Sequence, residues 1–135
     1  MAKVQVMVLD DEDRVRDMLV DVLAAAGYTV AGLASGAEGL ARFAELDPDL
    51  IVLDMMMPGI DGFEFLARLR ASPGHKHVPV LISSALGKTL GRAIETRSAE
   101  TLGIIGVLDK PLRIETLLEH VKETIGPGRG ATPEP

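Results

Sequence analysis

Five short apolar runs are distributed along the chain, and each predicts a buried β-strand. The runs are rich in β-branched and aliphatic residues and show no regular alternation with polar ones, which is typical of strands covered on both faces. Because the connections between parallel strands cover both faces of a sheet, the pattern favours a parallel sheet. The runs occupy positions 4–9, 28–33, 50–54, 80–83 and 104–108.

Segments with helical spacing of their apolar residues separate these runs. Between Val15 and Leu23 the apolar residues follow the i, i+3, i+4, i+7, i+8 spacing of one helical face, and Gly27 follows where a glycine commonly ends a helix. Asp61, with Glu64 three positions later, predicts a capping box that opens a helix over 62–71. Further helices are predicted over 37–46, 87–103 and 114–125.

The alternation of strands and helices predicts an α/β fold built from βαβ units. The usual five-stranded solution is a flavodoxin-like (βα)5 doubly wound parallel sheet of order 2-1-3-4-5, with three layers α/β/α. This domain is expected to cover residues 1–125, and the Pro- and Gly-rich residues 126–135 are expected to form a disordered tail or linker. In such folds ligands bind beyond the carboxyl ends of the strands, so functional residues are expected at that edge.

Composition narrows the classes of function. The 135 residues suffice for one domain, and the absence of cysteine excludes disulfides, thiolate metal sites and cysteine nucleophiles. A net charge of −6 and 3% aromatic residues without tryptophan argue against direct binding of nucleic acid. No apolar stretch approaches the roughly 20 residues of a membrane helix, so we expect no membrane insertion and a cytoplasmic location.

Polar side chains follow four of the five predicted strands. Asp10 and Asp11 follow the first, Asp54 ends the third, Ser84 follows the fourth and Lys110 follows the fifth. Carboxylates gathered in one cleft repel each other, and a divalent cation that prefers oxygen ligands, such as Mg²⁺, removes that penalty. Beside such a cation an aspartate can attack a phosphoryl group and become an aspartyl phosphate. A lysine and a hydroxyl would then balance the charge on the phosphoryl oxygens.

Two choices within this edge depend on neighbouring residues. Ser84 is preferred to Ser83 as the hydroxyl of the site, because the small Ala85 that follows it leaves room for a phosphoryl donor. Glu12 and Asp13 are expected to form a solvated helix start, since acidic residues suit the first turn of a helix.

The segment LDMMMPGIDG, residues 53–62, resembles the phosphoacceptor loop of the receiver domains of two-component response regulators. The acidic pair, the Ser-Ala pair and the Lys-Pro pair fall in the order and strand positions of that family, so the resemblance covers about residues 3–125. It implies a flavodoxin-like fold and a phosphorylation-switched signalling module that is not an enzyme beyond its own phosphorylation and dephosphorylation.

The resemblance also implies roles for individual residues. Asp54 would accept a phosphoryl group from a histidine kinase or phosphotransfer protein. Asp11, Asp54 and the backbone carbonyl of Met56 would ligate Mg²⁺, with Asp10 bound through water, while the serine and the lysine named above would contact the phosphoryl oxygens. The further expected partners are an output domain or partner protein and, on phosphorylation, a second copy of the chain.

Two other functions remain open. A metal-dependent phosphohydrolase commonly carries a second aspartate two residues after its nucleophile, but Met56 occupies that position here. A receiver-like adaptor that is never phosphorylated would not need an intact site. The family usually has an aromatic residue three positions before its lysine, whereas this chain has Val107. A switch is therefore expected to work through Ser84 and the segment 84–103.

Overall fold

The computed structural model describes residues 3–72, 77–85 and 103–128, and its five strands form one sheet. The strands follow the order β2-β1-β3-β4-β5, and every neighbouring pair is parallel. The predicted strand order is therefore confirmed. The strands are β1 (Val6–Leu9), β2 (Val30–Leu33), β3 (Leu50–Asp54), β4 (Val80–Ser84) and β5 (Ile104–Asp109).

Four helices lie in the described part of the chain. None of these helices is both long enough and apolar enough to cross a membrane. The helix predicted over 87–103 lies outside the described residues except for its last position. The four helices are α1 (Asp13–Ala25), α2 (Gly36–Leu46), α3 (Gly62–Ala71) and α4 (Ile114–Ile125).

Two apolar cores lie on the opposite faces of the sheet. On one face, Phe65 of α3 packs with Leu53 and other buried residues of the strands and of α2. On the other face, Leu19 of α1 and Leu117 of α4 pack with Val52. Successive residues of β3 thus enter different cores, because side chains alternate across a strand. This double burial explains the unbroken apolar runs of β1, β3 and β4. The edge strands β2 and β5 are only partly buried, contrary to the prediction, because each has a neighbouring strand on one side only. The three-layer arrangement is confirmed.

The helix ends follow signals that are visible in the sequence. The Asp61 carboxylate accepts a hydrogen bond from the backbone N–H of Glu64 at 2.9 Å, which caps the start of α3. The Glu64 carboxylate pairs with Arg68, one helical turn onward. Gly27 has a φ of 96°, in the left-handed region that favours glycine, and it follows the end of α1.

The first residues of the predicted tail lie against the turn after α1. The Tyr28 hydroxyl donates a hydrogen bond to the carbonyl oxygen of Gly126 at 2.6 Å. A Cβ atom at Gly128 would lie 2.6 Å from the carbonyl oxygen of Gly27, so the two backbone segments pass close to each other. The disorder predicted over 126–135 remains a prediction, since residues 129–135 lie outside the described part.

Candidate functional site

The carboxyl ends of β1 and β3 bring three carboxylates together. Leu9 pairs in register with Leu53, so Asp10 and Asp54 follow at the same level of the sheet. One carboxylate oxygen from each of Asp10, Asp11 and Asp54 lies within 4.8 Å of the other two. Asp10 and Asp54 are only 1% and 3% exposed. The acidic residues that the sequence assigns to this edge therefore form one buried cluster that opens to solvent at Asp11.

The ammonium group of Lys110 lies across this cluster. Its Nζ is 3.0 Å from Oδ2 of Asp10 and 3.3 Å from Oδ2 of Asp54. The backbone N–H of Lys110 donates to the carbonyl oxygen of Ser84 at 3.0 Å, which fixes the chain after β5 to the end of β4. The peptide bond to Pro111 is cis. One cation thus bridges two carboxylates that come from different strands.

Backbone amides orient the two buried carboxylates. Oδ1 of Asp10 accepts a hydrogen bond from the N–H of Glu12 at 2.9 Å, and Oδ1 of Asp54 accepts one from the N–H of Met56 at 3.0 Å. In each residue one oxygen is therefore held by the following turn, and the second oxygen contacts Lys110. This division leaves both Oδ2 atoms directed toward the same point in the cluster.

Burial and charge act in opposite directions on these groups. Burial raises the pKa of Asp54, and the nearby Asp10 adds to the rise, while the Met56 amide and the Lys110 ammonium oppose it. Burial alone would lower the pKa of Lys110, but the hydrogen bonds and negative charges of Asp10 and Asp54 outweigh it, so the pKa of Lys110 is raised. The lysine therefore stays protonated and compensates two carboxylates that water does not solvate.

The two serines at the end of β4 are both buried. Ser83 pairs in register with Asp54 and Ser84 with Asp109. Since register partners share a face and successive residues alternate, the Ser83 side chain lies on the same face as the Asp54 carboxylate. Ser84 is joined to Lys110 through its backbone carbonyl. The assignment of Ser84 as the hydroxyl of the site remains a prediction.

Sequence reasoning missed the contribution of Glu12. Glu12 is the N-cap residue of α1, but its side chain makes no capping hydrogen bond and is 62% exposed. Its carboxylate nevertheless lies 3.7 Å from Nζ of Lys110. Asp13 pairs with Arg16 instead. The expectation of a solvated helix start agrees with the exposure of Glu12 but omits the contact of Glu12 with Lys110. In the sequence, only the position of Glu12 next to Asp11 could have indicated this contact.

The residues that follow Asp54 divide between surface and core. Met56 is 60% exposed, whereas Met55 and Met57 are buried in the core between the sheet and helices α2 and α3. Val107, which stands where an aromatic residue is usual, packs against that same core. Met56 is joined to Asp54 through its amide, and the role of its carbonyl as a metal ligand remains a prediction.

The donor set of the cluster fits a small divalent cation. At metal–oxygen distances of about 2.1 Å, oxygens on opposite sides of a magnesium ion are about 4 Å apart. The three carboxylate oxygens lie within 4.8 Å of one another, near that upper span, while neighbouring ligands of one octahedral ion are only about 3 Å apart. All three donors are carboxylate oxygens, the ligand type that Mg²⁺ prefers. Asp10, Asp11 and Asp54 could therefore hold such an ion after their oxygens move closer together.

Comparisons of sequence and of structure with known proteins point to one family. Residues 6–122 match the response regulator receiver domain. The DNA-binding dual master transcriptional regulator RpaA of Synechocystis is 34% identical over 118 residues, which are 87% of this chain and 47% of RpaA. The protein-glutamate methylesterase/protein-glutamine glutaminase of Trichodesmium erythraeum is 36% identical over 132 residues, which are 94% of this chain and 36% of that protein. The chain thus spans less than half the length of these curated relatives.

Solved structures agree with this assignment. The chemotaxis protein CheY4 of Vibrio cholerae superposes with a TM-score of 0.78 at 31% identity, covering 92% of this chain and 100% of CheY4. A putative response regulator from Chloroflexus aurantiacus gives a TM-score of 0.77 at 33% identity, covering 90% of this chain and 97% of that one. The resemblance inferred from the motifs is confirmed: this chain belongs to the response regulator receiver domain family.

Proposed function

We propose that the chain accepts a phosphoryl group on Asp54 from a phosphohistidine donor, in the presence of Mg²⁺, and thereby switches an output partner. The observation that carries the proposal is the convergence of Asp10, Asp11 and Asp54 within 4.8 Å, with the Lys110 ammonium 3.3 Å from Oδ2 of Asp54. A nucleophilic carboxylate, further acidic ligands and a fixed cation are the groups that phosphoryl transfer to an aspartate requires.

The carboxylates of the cluster would hold the magnesium ion. Asp11 and Asp54 are the direct ligands in this proposal, together with the backbone carbonyl of Met56, and Asp10 acts through water. A bound Mg²⁺ neutralises charge on the transferred group and on the acids around it. The amide of Met56 keeps one oxygen of Asp54 in place, so the other oxygen is the one that remains available for attack.

The transfer itself needs no proton from the protein. An oxygen of the Asp54 carboxylate forms the new bond to phosphorus, and the bond between phosphorus and the donor nitrogen breaks. The imidazole keeps the electron pair of the broken bond and takes a proton from solvent. With acetyl phosphate as donor, an oxygen–phosphorus bond breaks instead and acetate leaves with the electrons. Lys110 and the hydroxyl of Ser84 stabilise the charge on the phosphoryl oxygens.

A phosphoryl donor can reach Asp54 only after the Lys110 side chain moves. Asp54 is 3% exposed, and the Lys110 ammonium occupies the position next to its Oδ2 atom. Lysine is a flexible cation that can move from the carboxylates to the incoming phosphoryl oxygens. Glu12 also contacts Lys110, and its side chain is 62% exposed and makes no capping hydrogen bond, so it can move together with the lysine.

The partners in this proposal follow from the chemistry. A histidine kinase or phosphotransfer protein supplies the phosphoryl group, and an output domain or partner protein responds to the new charge at Asp54. The two relatives named above are longer chains whose names describe further activities. We propose that this domain, which does not itself catalyse turnover of a substrate, regulates such an output from a cytoplasmic location.

Mass spectrometry after incubation with acetyl phosphate and Mg²⁺ tests the proposal. The wild-type chain should gain one phosphoryl group, and Asp54→Asn should gain none. Asp17→Asn, which changes an exposed carboxylate of α1 outside the cluster, serves as the matched control and should be labelled like the wild type. The label should require Mg²⁺ and should be released by hydroxylamine, as expected for an acyl phosphate. An unlabelled wild type, or equal labelling of Asp54→Asn, would contradict the proposal.

A further inference from the structure

Ser83 carries a hydroxyl for which the phosphoacceptor proposal has no role. The residue is 1% exposed, and its Oγ atom has no hydrogen-bond partner among the residues that the structure describes. An unpaired buried hydroxyl destabilises a fold, and such groups are rare in native structures. An alanine or valine at this position would avoid the penalty. The hydroxyl of Ser83 is thus available to donate a hydrogen bond if the groups around it rearrange.

The register of the sheet identifies the neighbours of this hydroxyl. Ser83 pairs with Asp54 of β3 on one side and with Leu108 of β5 on the other. Adjacent strands lie about 4.8 Å apart, and register partners present their side chains on the same face. Leu108 is apolar, so the Asp54 carboxylate is the polar neighbour across the strand. One side-chain rotation or one bridging water would connect the hydroxyl to that carboxylate.

Two donors contact the Asp54 carboxylate before phosphorylation. Oδ1 of Asp54 accepts from the Met56 amide, and Oδ2 accepts from Lys110. Both carboxylate oxygens thus have a donor already. In the proposed transfer this arrangement changes, because Lys110 moves to the phosphoryl oxygens and loses its contact with the Asp54 side chain.

We propose that Ser83 is a positioning residue that donates a hydrogen bond to the Asp54 side chain when Lys110 leaves it. The bond is direct or passes through one water. It holds the carboxyl group in the orientation for transfer and steadies the resulting acyl phosphate. The inference rests on the proposed function, since it concerns the same aspartate in its reacting state. It adds a second serine of β4 to the site, on the face opposite to that of Ser84.

The rate of labelling by acetyl phosphate at saturating Mg²⁺ and saturating donor tests this role. Ser83→Ala should slow labelling about threefold to tenfold, the effect of one lost hydrogen bond. Ser83→Cys nearly keeps the size but is a weak donor, so it should be slowed similarly. The Mg²⁺ concentration for half-maximal labelling should not change. In chelator, Ser83→Ala should unfold at the same or a higher denaturant concentration, because it removes an unpaired hydroxyl.

The outcomes separate this inference from the function on which it rests. Ser72→Ala removes an exposed hydroxyl that bonds to Arg68 far from the cluster, and it should label at the wild-type rate. If the wild type is labelled and Ser83→Ala is labelled equally fast, the positioning role is wrong and the phosphoacceptor function stands. Wild-type rates for Ser83→Cys with a slow Ser83→Ala would assign the effect to size and overturn the proposal. An unlabelled wild type would overturn the function and this inference together.

Discussion

Replacing Lys110 by methionine should destabilise the metal-free protein, and the effect should depend on pH and on Mg²⁺. The substitution keeps most of the length of the side chain but removes the charge that lies 3.0 Å from Asp10 and 3.3 Å from Asp54. Both carboxylates are almost fully buried, so water cannot replace the missing ammonium. The variant therefore leaves two neighbouring negative charges without compensation.

The contacts set the expected magnitude. At an effective dielectric constant of about 20, one ion pair at about 4 Å contributes about 4 kcal/mol, and the two pairs of Lys110 are shorter than that. The desolvation of the three groups offsets much of this attraction, and removal of one partner from a buried pair typically costs about 3–5 kcal/mol. Because the Lys110 side chain retains 15% exposure, we expect the free energy of unfolding to fall by about 3 kcal/mol at neutral pH.

The pH dependence follows from the sign of the Asp54 shift. The pKa of Asp54 is raised by burial, so the folded state holds this proton more tightly than the unfolded state. Stability therefore falls as the pH rises from the ordinary carboxyl pKa through the raised value. Lys110 opposes the rise, so its removal should extend this window upward. The pKa of Lys110 is itself raised, so its contribution is complete below the ordinary lysine pKa and is lost only in alkali. The loss in the variant should thus be larger at neutral than at mildly acidic pH.

Urea unfolding in chelator, at neutral and mildly acidic pH and again with excess Mg²⁺, measures these effects. Mg²⁺ should stabilise Lys110→Met more than the wild type, because the ion supplies positive charge to the same acids. Lys3→Met is the matched control: it breaks an exposed pair with Asp47 at 3.1 Å and should change stability by less than about 1 kcal/mol. Equal unfolding of Lys110→Met and the wild type in chelator, or a loss independent of pH, would refute the electrostatic reasoning.

Four further substitutions test other features of the structure. Asp11→Asn removes one of the clustered carboxylates, so the melting temperature in chelator should stay equal or rise, and the increase caused by Mg²⁺ should become smaller. A lower melting temperature in chelator would contradict the view that the carboxylates repel each other. Gly62→Ala would put a Cβ atom 2.7 Å from the Cα of Met55, and we expect the free energy of unfolding in urea to fall by about 2 kcal/mol. Gly59→Ala, at a φ of +77° but in open space, should lower it by only about 1 kcal/mol. The opposite ranking would refute the steric argument. Tyr28→Phe should lose about 1 kcal/mol with its hydroxyl hydrogen bond. Because burial raises the pKa of Tyr28, wild-type stability should decrease above the ordinary tyrosine pKa, and a titration of Tyr28→Phe with the same slope would exclude this assignment.

The sequence alone predicts the elements because their signals are local. The five apolar runs mark the five strands, and Asp61 and Gly27 mark the start of α3 and the end of α1. Each signal depends on residues within about one helical turn, which the chain order fixes directly. The order of the strands also follows, since short right-handed connections permit few arrangements of five parallel strands. Placement of Asp54 and Lys110 at one edge is a consequence of that topology.

The tertiary structure decides the contacts that join remote segments. The Glu12 carboxylate meets Lys110, the Tyr28 hydroxyl meets Gly126, and Ser83 becomes the register neighbour of Asp54. No local pattern contains these pairings, because each depends on the register of neighbouring strands or on the side-chain conformation chosen when distant residues pack. Whether a polar group finds a partner or stays buried without one, as for Ser83, is likewise determined only when the layers close around it.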